Sequence, residues 1–286
     1  MRKLYLNHIL FTYNRQSRSG NYTEINVKNV SWLCNSLNHT MKENKYDDQD
    51  FFDRYSKMPR SVGGLNSAEE WHELRDMLGE LKGKRFLDLG CGYGWHCLYA
   101  RSQGAERVTG VDISALMLER ARQHTRDDAI AYLHQPIEDI EFRENEFDVV
   151  FSSLAFHYVH DLQSVFEKVH RCLSRDGEFV FSMEHPIYTA LPQQDWYYDP
   201  DGNKLHWPVD NYQHEGSRRS NFMDSEVTKY HRTVATILNS VIQAGFSLER
   251  ISEPQPSPEI LEQLPRKKDD FRRPIFLMVK ARKAKG

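Results

Sequence analysis

The sequence predicts a doubly wound α/β domain, a mostly parallel sheet with helices on both faces. Three observations carry that expectation. Between Arg85 and Met183, short apolar bursts of strand length alternate with stretches of helical periodicity. A glycine-rich turn, Asp88-Leu89-Gly90-Cys91-Gly92-Tyr93-Gly94, separates the first burst from the first helix, where glycines let a ligand come close to backbone amides. An acid, Asp112, closes the second burst, at the carboxyl edge where open α/β sheets bind their ligands.

Taken in order, residues 1–40 stand apart. Five basic side chains (Arg2, Lys3, Arg15, Arg18, Lys28) oppose the single acid Glu24, and seven asparagines interrupt the apolar runs. The segment reads as a poorly ordered basic extension. Asn7 and His8 break its LYLNHILF run, which argues against a secretory leader, while its acid-poor, basic character leaves an organelle transit peptide as the alternative. Residues 41–286 read as one domain with N-terminal helices over 41–82. Ser67 and Glu70 have capping-box spacing, and Trp71, Leu74, Leu78 and Leu81 continue at helical intervals, so one amphipathic helix is expected within 67–82. The sheet then begins. RFLDLG (85–90), RVTGVD (107–112), AIAYLH (129–134), FDVVFSSL (147–154) and EFVFSM (178–183) are the strand candidates. Helices fall from about position 94, from Ser114, and where Leu162, Val165, Phe166, Val169 and Leu173 share a face. The stretch 83–183 is therefore the half that holds the glycine turn. An insert over 184–227, with Trp196, Tyr197, Tyr198, Trp207, Tyr212 and Phe222, is too long for a plain connection and reads as a substrate cover or as a flap with its own small core. Residues 228–286 close the domain with a helix through Val234, Ile237, Leu238, Val241 and Ile242 and the strands 246–252 and 274–280. The runs RKKDDFRRP (266–274) and KARKAKG (280–286) read as solvated basic tails.

Composition narrows the function. The 286 residues carry a net charge of −3, with 39% hydrophobic and 12% aromatic side chains, which suits a folded domain and not a disordered chain. Apolar runs fall short of a membrane span, and the charge balance lacks the basic excess of a nucleic-acid binder. Four cysteines, none spaced as CxxC, favour neither a disulfide framework nor zinc. The expected setting is the cytoplasm, and the expected partner a small molecule, with the protein a monomer or homodimer and no metal.

The glycine turn excludes two ligands. A dinucleotide fingerprint needs a third glycine where this chain has Trp95, and no GK[ST] follows for a P-loop. Asp88, two residues before Gly90, repels a pyrophosphate and attracts an ammonium or sulfonium. Asp112 is placed either to accept hydrogen bonds from two ribose hydroxyls or to serve as a helix N-terminal charge beside Ser114.

With DLGCGYG, GVDIS and FDVVFSSLAFHYV on the page, the chain resembles the class I S-adenosylmethionine-dependent methyltransferases, of the small-molecule type, over about 46–280. The resemblance implies a Rossmann-like seven-stranded sheet of order 3-2-1-4-5-7-6, with the last strand inserted antiparallel, an N-terminal helical lid, and S-adenosyl-L-methionine as cofactor, leaving as S-adenosyl-L-homocysteine. It places Asp88, Gly90, Cys91, Gly92 and Gly94 at the methionyl part and Asp112 at the ribose. Ile113 and Met117 take one face of the adenine, Ile137 and Glu138 its edge. Ser153 and Leu154 line the floor beneath the sulfonium. The segment 46–60 resembles the lid, with Tyr55, Met58 and Arg60 near the methionine end, although a simple packing helix explains it too.

Methyl transfer from a sulfonium asks a protein for positioning, exclusion of water and, for some nucleophiles, a base. His157, just past the fourth strand, and His185, in MEHPIY after the fifth, are the candidate catalysts, each equally readable as a packing histidine. Glu184 could orient His185 or hold an amine. Tyr230, His231 and Arg232 are expected to open the last long helix and offer donors to an anionic substrate, or merely to cap it. The leading reading is methyl transfer to an N or O atom of a small molecule. A non-catalytic cofactor-binding module and an RNA or protein methyltransferase are the alternatives. A chain begun at Met41 should fold and keep its activity, and loss of either, followed by circular dichroism and methyl-transfer assays, would reject that boundary.

Overall fold

The computed structural model describes residues 42–284. The proposed extension over 1–40 lies outside them. After a 3-10 turn at Lys45–Asp47 come α1 (Gln49–Tyr55), α2 (Pro59–Gly63) and α3 (Trp71–Leu78). The sheet region follows as β1 (Arg85–Leu89), α4 (Trp95–Ser102), β2 (Arg107–Asp112), α5 (Ala115–His124), β3 (Ile130–His134), β4 (Phe147–Ser153), α6 (Leu162–Cys172) and β5 (Leu173–Glu184). Next are α7 (Pro186–Thr189), β6 (Tyr197–Tyr198), β7 (Lys204–His206), β8 (Gly216–Phe222), β9 (Ser225–His231) and α8 (Val234–Gln243). The chain closes with β10 (Phe246–Ser252), α9 (Pro258–Gln263), a 3-10 segment at Pro265–Arg272 and β11 (Phe276–Lys283).

Seven strands form one sheet in the order β10-β11-β5-β4-β1-β2-β3. Counted along the chain among sheet strands only, and from the other edge, this is 3-2-1-4-5-7-6, as the resemblance implies. β1 pairs parallel with β2 and β4, and β11 runs antiparallel to both β5 and β10. Strand alternation divides the core between the two faces. Leu87, Leu89, Val150, Phe181 and Val279 pack with α6 and α8 on one side, whereas Phe86, Val149, Phe151 and Met278 pack with α3, α4 and α5 on the other. Asp88 falls on the Phe86 side, under α4, for the same reason.

Three expectations change, and the insert gains its detail. The helix expected within 67–82 occupies only Trp71–Leu78, because Ser67 ends a 3-10 turn, the Glu70 carboxylate is taken by Arg60, and Gly79 turns the chain at φ 64. The insert, expected as a cover or a flap, carries strands. It builds the hairpins β6–β7 and β8–β9, the second closed by Met223 and Asp224 at φ 54 and 57, the paired left-handed geometry that suits a two-residue turn. Tyr230 and His231 end β9 instead of opening a helix, and Thr233 caps α8. The basic run 266–274 is packed: Lys267 bridges Glu69 and Asp270, and Arg273 pairs with Asp270 with only 9% of its side chain exposed.

Phe181 is fully buried against Phe156, Phe166 and Phe179, with ring centroids 4.9–5.4 Å apart. Phe181→Ala should cost about 3–5 kcal/mol in urea unfolding, whereas Tyr197→Ala at the exposed hairpin should cost under about 0.5 kcal/mol.

Candidate functional site

A cavity of about 440 Å³ opens at the carboxyl ends of β1, β2, β4 and β5. One end is built by the glycine turn. Gly90, Gly92 and Gly94 stand at φ 77, 50 and 76, a region that other residues adopt at a cost. The amides of Gly90 and Cys91 both donate to the Val111 carbonyl, which pins the turn to β2. A Cβ on Gly90 would overlap the Ala155 methyl, and one on Gly94 would strike the Tyr132 ring, whereas Gly92 has open space before it. Gly92 therefore leaves its backbone open to a ligand. Asp112 sits at the mouth of this turn. Its two oxygens accept the Gly92 and Ser114 amides, each at 2.8 Å, and each keeps a second lone pair. Burial pushes its pKa up to about 6 despite those bonds.

Most of the residues expected at the cofactor share this cavity. Tyr55, Gly90, Gly92, Asp112, Ile113, Met117, Ile137, Glu138, Ser153 and Leu154 all line it. Leu154 does so at φ 55, a strained conformation for a branched residue directly after β4. Asp88, Cys91 and Gly94 are not in its lining. Asp88 is fully buried on the far side of β1, where Cys97 Sγ approaches Oδ2 at 3.5 Å and Oδ1 has no partner. Burial pushes its pKa up to about 7, and its position outside the lining keeps it from the cavity wall.

The candidate catalysts separate. His157 lines the cavity, 3% exposed, with its ring against Tyr158. Its Nδ1 accepts the Glu184 amide at 3.4 Å, and burial lowers its pKa to about 4. His185 does not line the cavity: it caps α7 through Nδ1 and bonds Glu253 at 2.9 Å through Nε2. Tyr230, His231 and Arg232 also lie outside the lining. His231 is held by Thr189 and the Tyr212 carbonyl, and Arg232 donates to the carbonyls of Val159 and His160.

The other end of the cavity is polar in a way the sequence reading missed. The buried Glu70 pairs with the part-buried Arg60, and Lys267, Asp270, Arg273, Tyr158, Tyr188, Glu184 and Glu43 also line this end. Glu184 accepts from the buried Lys229 at 2.6 Å and from Gln194 at 2.9 Å, and Gln194 also accepts from Lys229. Burial works to raise the Glu184 pKa, but His157, Lys229 and Gln194 together hold it below the ordinary value. Arg273 lies over Trp207, Tyr188 and Trp196 at 4.5–5.3 Å, joining the aromatic insert to the cavity wall. One sequence signal existed: in KKDDFRR the opposite charges three apart pair with each other, as a turn does and a tail does not. Among the described residues no group of His, Cys, Asp and Glu is arranged to hold a metal ion, and no helix is long and apolar enough to cross a membrane.

Comparison with known proteins bears on the family and the fold. A family model described as a methyltransferase domain matches residues 87–181. The crystal structure of an S-adenosylmethionine-dependent methyltransferase from Mesorhizobium loti is 43% identical, superposes with a TM-score of 0.73, and is matched over 100% of its own chain and 77% of this one. An uncharacterised protein of Haemophilus influenzae is 35% identical over 249 residues, 83% of this chain and 96% of that protein. Malonyl-[acyl-carrier protein] O-methyltransferase of Erwinia billingiae is 35% identical over 111 residues, 38% of this chain and 43% of that enzyme.

The raised pKa of Asp88 carries a stability consequence. The folded chain holds this proton more tightly than the unfolded one, so the contribution falls as pH rises from about 4 to about 7. Asp88→Asn should therefore raise Tm at pH 7.5 by at least about 3 °C and flatten its dependence over that window, measured by calorimetry without cofactor. An unchanged or lowered Tm would contradict the assigned shift.

Proposed function

This chain belongs to the S-adenosylmethionine-dependent methyltransferases, and from that premise we propose that it transfers a methyl group to an N or O atom of a small molecule. The observation that carries the reading is the continuity of one cavity from the glycine turn and Asp112 at one end to His157 and Glu184 at the other. The residues present fit the cofactor. Gly92 leaves open space beside its backbone, and Asp112 keeps acceptor capacity for two hydroxyls. In this reading Gly90 and Gly92 take the methionyl part and Asp112 the ribose. Ile113 and Met117 meet one adenine face, Ile137 and Glu138 its edge, and Tyr55, Ser153 and Leu154 enclose the sulfonium region. S-adenosyl-L-methionine supplies an electrophilic methyl group. The chain's own residues hold the reactants in line and keep water out, the contribution that displacement at carbon most needs.

A small acceptor fits the charge distribution better than RNA. Lys280 pairs with Glu178, Arg282 with Glu178 and Glu249, and Lys267 with Glu69 and Asp270, so these basic groups are already committed within the chain. The Erwinia relative is an O-methyltransferase by name, which agrees with an oxygen nucleophile without fixing it.

Calorimetric titration with S-adenosylmethionine, S-adenosylhomocysteine and NAD tests the reading. The first two should bind and NAD should not, and selective NAD binding would overturn it. Asp112→Ala should weaken S-adenosylhomocysteine binding by about 1–3 kcal/mol. Because the carboxylate is the stronger acceptor, wild-type affinity should also fall as pH drops through about 6, and Asp112→Ala should lose that dependence.

A further inference from the structure

His157 was a candidate base by residue type, but its bonding argues for the opposite role. A backbone N–H can only donate, so the Glu184 amide at 3.4 Å requires an unprotonated Nδ1. A neutral imidazole with Nδ1 bare carries its proton on Nε2. No bond from Nε2 is made among the described residues, and the side chain borders the cavity. At neutral pH the ring therefore presents a donor and no acceptor. Burial and the Lys229 charge favour the neutral form over the opposing pull of Glu184, keeping the pKa near 4.

Most of the remaining polar groups at this end are already engaged. The Glu184 carboxylate is engaged by Lys229 and Gln194, Glu70 by Arg60, and Asp270 by Arg273 and Lys267. The Tyr158 hydroxyl shares a bond with Tyr46, and burial raises its pKa, as it pushes that of Tyr188 up to about 12. None of these groups is free to take the proton that an alcohol or an ammonium must shed, and Glu43, which also lines the cavity, has one oxygen on the Thr228 amide. Glu184, Glu70 and Asp270 each face a cation, so these pairs leave no net charge to offset the positive charge that a sulfonium cofactor adds. A nucleophile that arrives as an anion restores neutrality.

We propose that the acceptor is a small-molecule carboxylate, positioned by a hydrogen bond from His157 Nε2–H to its non-attacking oxygen, and that the product is a methyl ester. This deepens the methyltransferase reading and rests on it. The attacking carboxylate oxygen gives a lone pair to form the O–CH3 bond, and the S–CH3 bond breaks with its electron pair staying on sulfur. Anion and sulfonium become neutral ester and neutral thioether, and no proton is released. His157 is then a positioning donor whose removal acts on KM more than on kcat.

Two measurements on the full chain test this. In long-range 1H–15N spectra of histidine-labelled protein saturated with S-adenosylhomocysteine, the resonances lost in His157→Gln identify His157. The expected result is the Nε2–H tautomer, unchanged from pH 5.5 to 8, and an Nδ1–H tautomer or a titration in that window would overturn the proposal. Methyl-labelled S-adenosylmethionine is then offered with a panel of mono- and dicarboxylic acids, matched alcohols and matched primary amines. Label should enter the acids as alkali-labile ester, released as methanol. His157→Gln, which keeps an N–H donor but cannot act as a base, should retain kcat/KM within about 10-fold, and His157→Ala should lose roughly 10- to 100-fold more, chiefly through KM. Alkali-stable label confined to amines or alcohols, equal losses in Gln and Ala, or no labelled acid while S-adenosylhomocysteine still binds would each overturn it. Failure to bind S-adenosylhomocysteine would overturn the methyltransferase reading as well.

Discussion

The site depends on a single clamp, the Asp112 carboxylate. Its two oxygens hold the Gly92 amide of the turn after β1 and the Ser114 amide that precedes α5. Ser114 in turn caps α5 through Met117 and donates to Asp47 at the N-terminal edge of the domain. One acid thus fixes the glycine turn, the end of β2 and the start of the next helix. The arrangement works only because Gly90 and Gly94 have no Cβ where Ala155 and Tyr132 press against them. Charged oxygen on backbone amides is a strong interaction in a dry setting, and here it also holds the carboxylate at the cavity wall.

A second buried system anchors the insert. Lys229, on β9, is 1% exposed and would be costly there alone, yet it meets Glu184 and Gln194 and lies over the Phe222 ring. Removing Lys229 or Glu184 would strand the charge of the other, so the pair specifies where the β8–β9 hairpin sits against the end of β5. Arg273 does the equivalent for the other half of the insert by stacking on Trp207, Tyr188 and Trp196. The N-terminal helices join the same assembly. Arg54 donates to Met223 and Ser225 at the hairpin turn, and Phe51 packs on Phe222. Residues distant in sequence therefore close the cavity from two directions, with charge pairs at the joints.

Legibility followed the range of the interactions involved. Each sheet strand was readable because its apolar burst is local, and the half of the cavity around Gly90, Gly92 and Asp112 was readable because a turn, a strand end and a helix start are contiguous. The short α3 was not, since Glu70, which has capping-box spacing, is engaged instead by Arg60 from the preceding helix. The run 266–274 looked like a solvated tail because nothing local reveals that Trp196 and Trp207 receive its arginines. Tyr230, His231 and Arg232 looked available, and only their partners at Thr189, Tyr212, Val159 and His160 show them to be holding the insert in place.

The sequence by itself determined the sheet, its glycine turn and the family, because strand periodicity, left-handed glycine positions and an acid at the next strand end are local requirements written in consecutive residues. The tertiary structure alone decided which polar side chains face the cavity and in what state. Whether His157 accepts or donates depends on a backbone amide 27 positions away. Whether Glu184 is available depends on Lys229, 45 positions further along. Hydrogen-bond direction and charge pairing are properties of contacts between segments, and residue type does not fix them until the chain has folded.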